Sequence, residues 1–171
     1  MNQMRLKKLV ISAMLTAVAV CMSTFSIPFG ASKCFPIQHL VNVLAGVFLG
    51  PGWGVAIALC ASTIRNLMGT GTLLAFPGSM VGAFLGAYLY QKTNRLTFAY
   101  IGEVVGTGIL GGMLCYPVAT LLMGRTAALF TYVIPFLLST GCGTVIAAIL
   151  MTALYQSHAL GYLQGMLKEH A

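Results

Sequence analysis

Apolar residues in this chain come in long stretches rather than in a surface rhythm. Uncharged runs lie at 9–32, 34–64, 66–91, 104–124 and 126–167, each at least as long as the roughly 20 residues that cross a bilayer core. Stretches such as Val18–Ala19–Val20 and Ile146–Ala147–Ala148–Ile149–Leu150–Met151 do not alternate apolar with polar, which excludes the strands of a membrane barrel. Helices remain. Glycine and proline punctuate them. The pattern predicts a first helix from Leu9 to Phe25, a loop over Ile27–Pro36, a second helix from Pro36 to Leu49 and a third from Trp53 to Met68. It predicts a fourth from Leu74 to Tyr90, a fifth from Phe98 to Leu122 kinked at Pro117, and a sixth from Pro135 to Tyr155. An amphipathic tail, Leu160 to His170, follows. The second and third helices are short for a bilayer, so they thin it, lean on neighbours or are partly re-entrant.

Composition turns this pattern into a class. Of 171 residues, 58% are hydrophobic and 6% charged, against roughly 25% charged in an ordinary soluble protein. A soluble globule and a disordered chain are both excluded. We read an all-α integral membrane bundle of six transmembrane helices, a single membrane-embedded domain spanning 1–171. Six spans put both termini on one side, with Arg5, Lys7, Lys8, Lys92, Arg95 and Lys168 there and Lys33, Arg65 and Arg125 opposite. That bias places both termini in the cytoplasm. The net charge of +7 is scattered beside apolar runs, so it marks topology rather than a nucleic-acid surface. The five cysteines form no C-x-x-C pair and read as buried thiols, neither a zinc site nor a disulfide framework. The basic N-terminus imitates a signal peptide, but no A-x-A-like site precedes a soluble chain, so it opens the first span.

The uncommon polar groups then converge on the outer mouth of the bundle. Gln38, His39 and Asn42 start the second helix, Arg65 and Asn66 end the third, and Ser79 lies early in the fourth. Tyr116 and Arg125 fall at the outer end of the fifth, with Tyr132, Ser139 and Thr140 toward the outer part of the last segment. Polar groups at membrane depth are costly unless they face a cavity or each other, so a pocket capped by the Ile27–Pro36 and Gly124–Ile134 loops is expected. Bland readings stand beside this one. His39 is a hydrogen-bonded core histidine or a pocket group, and Asn42 one turn on shares its face. Arg65 is a snorkelling anchor or a pocket residue; Asn66 is less able to snorkel. Tyr116 and Tyr132 belong to the interfacial aromatic belt or stack on a ligand. Glu103, the only acid before the tail, pairs with Lys92 or Arg95, favours a helix start, floors the pocket or meets a partner subunit. Ala13, Ala17 and Cys21 form a small-xxx-small stripe that admits close approach of another helix, from a partner or from this chain itself.

Missing motifs narrow the mechanism. There is no G-x-x-x-x-G-K-S/T cradle, no G-x-S-x-G elbow, no H-E-x-x-H and no Asp at all, so neither ATP hydrolysis nor metal-assisted catalysis has a signature here. With Glu103 alone available, a proton-relay carrier is poorly supported. The chain is read as a non-enzyme.

Two segments then carry a specific resemblance. KCFPIQHLVNVLAG at 33–46 with Gly50–Pro51, and IRNLMGTGTLLAFPGS at 64–79, resemble ThiW-type proteins, as do Gly102–Glu103, Gly106–Thr107–Gly108 and Tyr116–Pro117. ThiW-type proteins are thiazole-specific S components of energy-coupling factor transporters. The resemblance implies a six-helix subunit in the cytoplasmic membrane of a prokaryote that captures a vitamin precursor at its outer face. It implies association with a transmembrane T component and two ATPase subunits, so ATP is used by the partners and this chain holds no cofactor. Ala13 and Ala17 would meet the T component, and the ligand would be 4-methyl-5-(2-hydroxyethyl)thiazole. Such a ring wants an aromatic wall, from Tyr116, Phe76 or Tyr132, with donors and acceptors from His39, Asn42 and Asn66. With Gln38, Arg65 and Glu103 these form the expected binding set. An S component for another vitamin or for the pyrimidine precursor, a small membrane enzyme acting on lipid head groups, and a ligand-free assembly protein are the alternatives.

Overall fold

A computed structural model describes residues 3–29 and 32–168. Seven helices account for most of them: α1 (Gln3–Cys21), α2 (Pro36–Leu49), α3 (Pro51–Leu67), α4 (Ala75–Thr93), α5 (Leu96–Leu122), α6 (Val133–Gln156) and α7 (Ala159–Lys168). Helix starts follow chemistry. Pro36 and Pro51 each occupy a first turn, where a missing N–H costs nothing because that donor has no intrahelical partner. α1 begins earlier than its apolar run, since Arg5, Lys7 and Lys8 sit in its first turns without breaking it. A 3₁₀ turn, Met22–Thr24, extends its far end.

Three helical stretches among the described residues, Gln3–Thr24, Leu96–Leu122 and Val133–Gln156, are long and apolar enough to cross a membrane. α2 has 14 residues and α3 has 17; at about 1.5 Å per residue they reach about 21 and 26 Å, short of a bilayer core of about 30 Å. The expected loop after α1 is instead a two-stranded antiparallel hairpin, β1 (Ile27–Phe29) and β2 (Ser32–Cys34), with Ile27 opposite Cys34. Backbone pairing satisfies groups that an irregular connection would leave open.

α2 is the hub, burying nine of its 14 residues. One side, through Val41, Ala45 and Leu49, packs on Ala19 of α1, Ile57 and Ala61 of α3 and Leu167 of α7. The other, through Val43 and Val47, meets Ala99 of α5 and Ala147 and Met151 of α6. α4 and α5 approach backbone to backbone: a Cβ on Gly102 would come within 2.6 Å of the Gly86 Cα, and one on Gly106 within 2.8 Å of the Gly82 Cα. Small residues permit such contact where apolar burial between helices drives little. Pro117, with no N–H to donate, stands where α winding in α5 gives way to π winding over Val118–Leu122. A longer π stretch, Val104–Gly111, follows Glu103 directly.

Burial runs opposite to a soluble protein's. Leu9, Val10, Met14, Ile109, Leu110, Leu114, Val145, Ile146 and Ile149 are exposed, while Gln38, His39, Asn42, Arg65 and Glu103 are buried. An exposed apolar belt around a core that also holds these polar groups suits a hydrocarbon solvent.

Candidate functional site

The buried polar groups form one connected line. Arg65, at the last turn of α3, donates from Nη1 to Gln38 Oε1 at 3.1 Å. Gln38 Nε2 donates to Asn42 Oδ1 at 3.1 Å, and Asn42 Nδ2 donates to Glu103 Oε1 at 2.9 Å and to the Ser79 carbonyl at 3.2 Å. Gln38 and Asn42 are one turn apart, so α2 presents both amides on one face. Each amide turns its oxygen toward the guanidinium and its NH₂ toward the carboxylate, the orientation electrostatics favours in a medium of low dielectric.

Glu103 gathers three donors on one oxygen. His39 Nδ1 lies 2.9 Å from Oε1, and Thr107 Oγ1 donates to it at 3.1 Å, beside the Asn42 bond. The other face of the imidazole completes the logic. Ser139 Oγ accepts the Phe35 N–H at 2.8 Å and lies 3.1 Å from His39 Nε2. Because Glu103 Oε1 is an acceptor toward Asn42 and Thr107 as well, His39 donates to it from Nδ1. The close approach of α4 and α5 makes room for this: a Cβ on Gly82 would overlap Thr107 Oγ1 and reach within 3.0 Å of Glu103 Oε2.

The turn after α3 holds Arg65 in place. The Arg65 carbonyl accepts the N–H groups of Thr70 and Gly71 at 3.0 and 2.9 Å. Gly69 takes a positive φ of 71°, and a Cβ on Gly71 would lie 3.1 Å from the Arg65 Cβ. Only glycine fits both roles comfortably. The G-T-G-T run is thus the local device that positions the arginine.

A cavity of about 30 Å³ opens against this line, lined by Lys33, Phe35, Gln38, His39, Arg65, Thr72, Ala75, Ser79, Phe136 and Ser139. The Arg65 guanidinium carbon stands 3.8 Å from the centre of the Phe35 ring. Larger concavities exist, one of about 370 Å³ against Leu6, Val10 and Leu163 and another of about 590 Å³ between α1 and α3. Both are open surface grooves with apolar lining. The small cavity has the polar groups that fix a ligand's orientation.

Of the residues expected at the mouth, Gln38, His39, Arg65, Ser79 and Ser139 line this cavity, with Asn42 and Glu103 directly behind them. Glu103 is not paired with Lys92 or Arg95; its charge is met by His39 and two polar side chains. Thr140 is buried beside the Glu103 carbonyl, Arg125 is outside the lining, and four members of the expected binding set lie elsewhere. Asn66 spans its own turn, donating to the Ser62 and Thr72 carbonyls. Tyr132 is buried against Leu74, Cys115 and Ala119. Tyr116 is exposed on α5, and Phe76 is half-buried outside the lining. Ala13 and Ala17 line the groove between α1 and α3.

The aromatic wall is Phe35 and Phe136. A signal for them existed: Phe35 precedes Pro36, which disfavours helical backbone there (φ −128°, ψ 74°) at the mouth of α2, and Phe136 sits three residues before Ser139 on one helical face. Lys33, read from sequence as a topology marker, also reaches the cavity.

No curated protein matches the chain. A family model described as thiamine-precursor transporter protein (ThiW) matches residues 9–157. That span takes in every cavity-lining residue and six of the seven helices in whole or large part. The chain belongs to the ThiW family of thiamine-precursor transporter proteins.

Proposed function

We propose that this chain is the substrate-capture subunit of an ATP-driven energy-coupling factor importer, binding hydroxyethylthiazole at its outer face. It spans the cytoplasmic membrane of a prokaryote six times, with both termini inside. The observation that carries this reading is the buried line Arg65–Gln38–Asn42–Glu103–His39, opening on an aromatic-walled cavity within an otherwise apolar bundle. Membership of a thiamine-precursor transporter family supplies the substrate class. Phe35 and Phe136 suit the faces of the ring.

The cavity has room for about two water-sized groups, so a five-membered ring enters only as Phe35, Phe136 and Lys33 give way. The hairpin β1–β2 carries Lys33 and leads into Phe35, tied to α6 by the Phe35 N–H and by the Cys34 thiol on the Pro135 carbonyl. It is therefore the element that moves on capture.

The groove with Ala13 and Ala17 on one bank and Ala56 and Cys60 on the other receives the T component, because small side chains on both helices let a third backbone approach. Energy comes from two partner ATPases, and this chain performs no chemistry on its cargo. Calorimetry on the purified chain in nanodiscs tests the reading: hydroxyethylthiazole binds tightly and ATP is not hydrolysed, while uptake into vesicles requires the partners. Failure of every thiazole to bind, with the pyrimidine precursor or another vitamin binding instead, refutes the substrate assignment.

A further inference from the structure

Arg65 is over-equipped for a neutral ligand. It is 1% exposed, yet Nε and Nη2 have no hydrogen-bond partner and only Nη1 is engaged, by the neutral Gln38 amide. Among the described residues no carboxylate lies within 4.0 Å of it, since Glu103 serves His39 and reaches the guanidinium only through two amides. Burial excludes snorkelling. A buried charge left uncompensated is strongly disfavoured, and hydrogen-bond donors this deep are normally satisfied. Phe35 lies against the guanidinium at 3.8 Å, which leaves the edge of the group, with its fork of donors, for a planar or tetrahedral acceptor. Lys33 brings a second cation to the same cavity, and no acidic residue lines it. The cavity that Arg65 and Lys33 line has room for about two oxygen-sized groups, and Nε and Nη2 are closed off from solvent, so an acceptor reaches them as the neighbouring side chains shift.

We propose that the cargo carries an oxyanion, a carboxylate or a phosphate monoester, seated on the free edge of Arg65 with Lys33 above it. This rests on the capture reading and deepens it: among thiazoles that the chain captures, the one whose arm ends in an anionic group is held more tightly than the alcohol. Charge-assisted bonds to such a group exceed those to a hydroxyl.

The test uses the full chain in nanodiscs and matched pairs differing only in charge. Hydroxyethylthiazole is compared by calorimetry with its phosphate monoester and with the corresponding thiazole acetate, and nicotinamide with nicotinate. At least one thiazole anion binds about tenfold to a hundredfold more tightly than the alcohol, and which one identifies the oxyanion. R65Q abolishes the difference and R65K retains part of it. The wild-type pairs decide the matter even if R65Q does not fold. Equal affinities within every pair, or tighter binding of the neutral members, overturn the oxyanion while leaving a thiazole-capture reading standing. If no thiazole binds but nicotinate exceeds nicotinamide, the ring assignment falls and the anion seat stands.

Discussion

Replacing Glu103 with glutamine keeps the shape of the side chain at the centre of the polar line and removes its charge. In the native protein one carboxylate oxygen accepts from His39, Asn42 and Thr107 while the other has no partner. Hydrogen bonds to a charged group contribute about 1.5–3 kcal/mol and neutral ones about 0.5–1.5, so neutralising the acceptor of three bonds removes about 3 kcal/mol. An amide also places an NH₂ either where Oε2 finds no acceptor or against three donors, so no orientation satisfies it. Relief from burying a carboxylate offsets part of this, since desolvating an ion costs several kcal/mol. A net loss of about 2 kcal/mol is expected. Titration with SDS in mixed micelles, followed by fluorescence of Trp53, the sole tryptophan, which is half-buried beside the α1–α2–α3 core, measures it. Imidazole nitrogen NMR reads His39 in parallel: the proton held on Nδ1 in the native protein redistributes in E103Q, and thiazole affinity falls with it. An unchanged midpoint together with an unchanged His39 spectrum would refute the hub role of Glu103.

Other substitutions probe separate parts of the design. G71A presses a Cβ to 3.1 Å from the Arg65 Cβ and 3.2 Å from backbone atoms of Arg65 and Asn66; backbone cannot yield cheaply, so about 1–3 kcal/mol of stability is lost. G52A, with nothing within 4 Å of the new Cβ, leaves the same SDS midpoint unchanged or slightly raised and serves as the control. S139A removes the acceptor of the Phe35 N–H and the hydrogen-bond partner of His39 Nε2, and the Phe35 amide exchanges with deuterium about fivefold faster, the equivalent of one neutral hydrogen bond of about 1 kcal/mol. A13L and A17L fill the groove between α1 and α3; ligand affinity is retained while co-purification with the T component is lost, and retained assembly would move the docking face elsewhere.

Much of the helical framework is legible in the residues alone. Uncharged runs mark where chain meets hydrocarbon, and Gly50–Pro51, Gly69–Thr70–Gly71–Thr72 and the polar run Gln91–Lys92–Thr93–Asn94–Arg95 mark where it turns, because backbone chemistry at those points is local, although α4 continues through Thr93. Helix limits accordingly depart from expectation by a few residues, except at α1, whose basic first turns continue the helix. The scarcity of polar side chains likewise singles out Gln38, His39, Asn42, Arg65 and Glu103, since each is expensive to hold among apolar neighbours. Pairing is another matter. His39 meets Glu103 across 64 positions and Ser139 across 100, and whether two helical faces confront each other depends on the rotation of each helix, which packing through glycines such as Gly82, Gly86, Gly102 and Gly106 sets. Aromatic side chains were ambiguous for the same reason. Phe35, Phe136, Phe76, Tyr116 and Tyr132 are equivalent by residue type near a membrane surface. Composition and breakers determine that this chain is an apolar helical bundle with a few buried hydrophilic groups, because those depend on each segment's own solvent preference. Which groups meet, and which rings wall the cavity, is decided only when seven helices settle their rotations against one another.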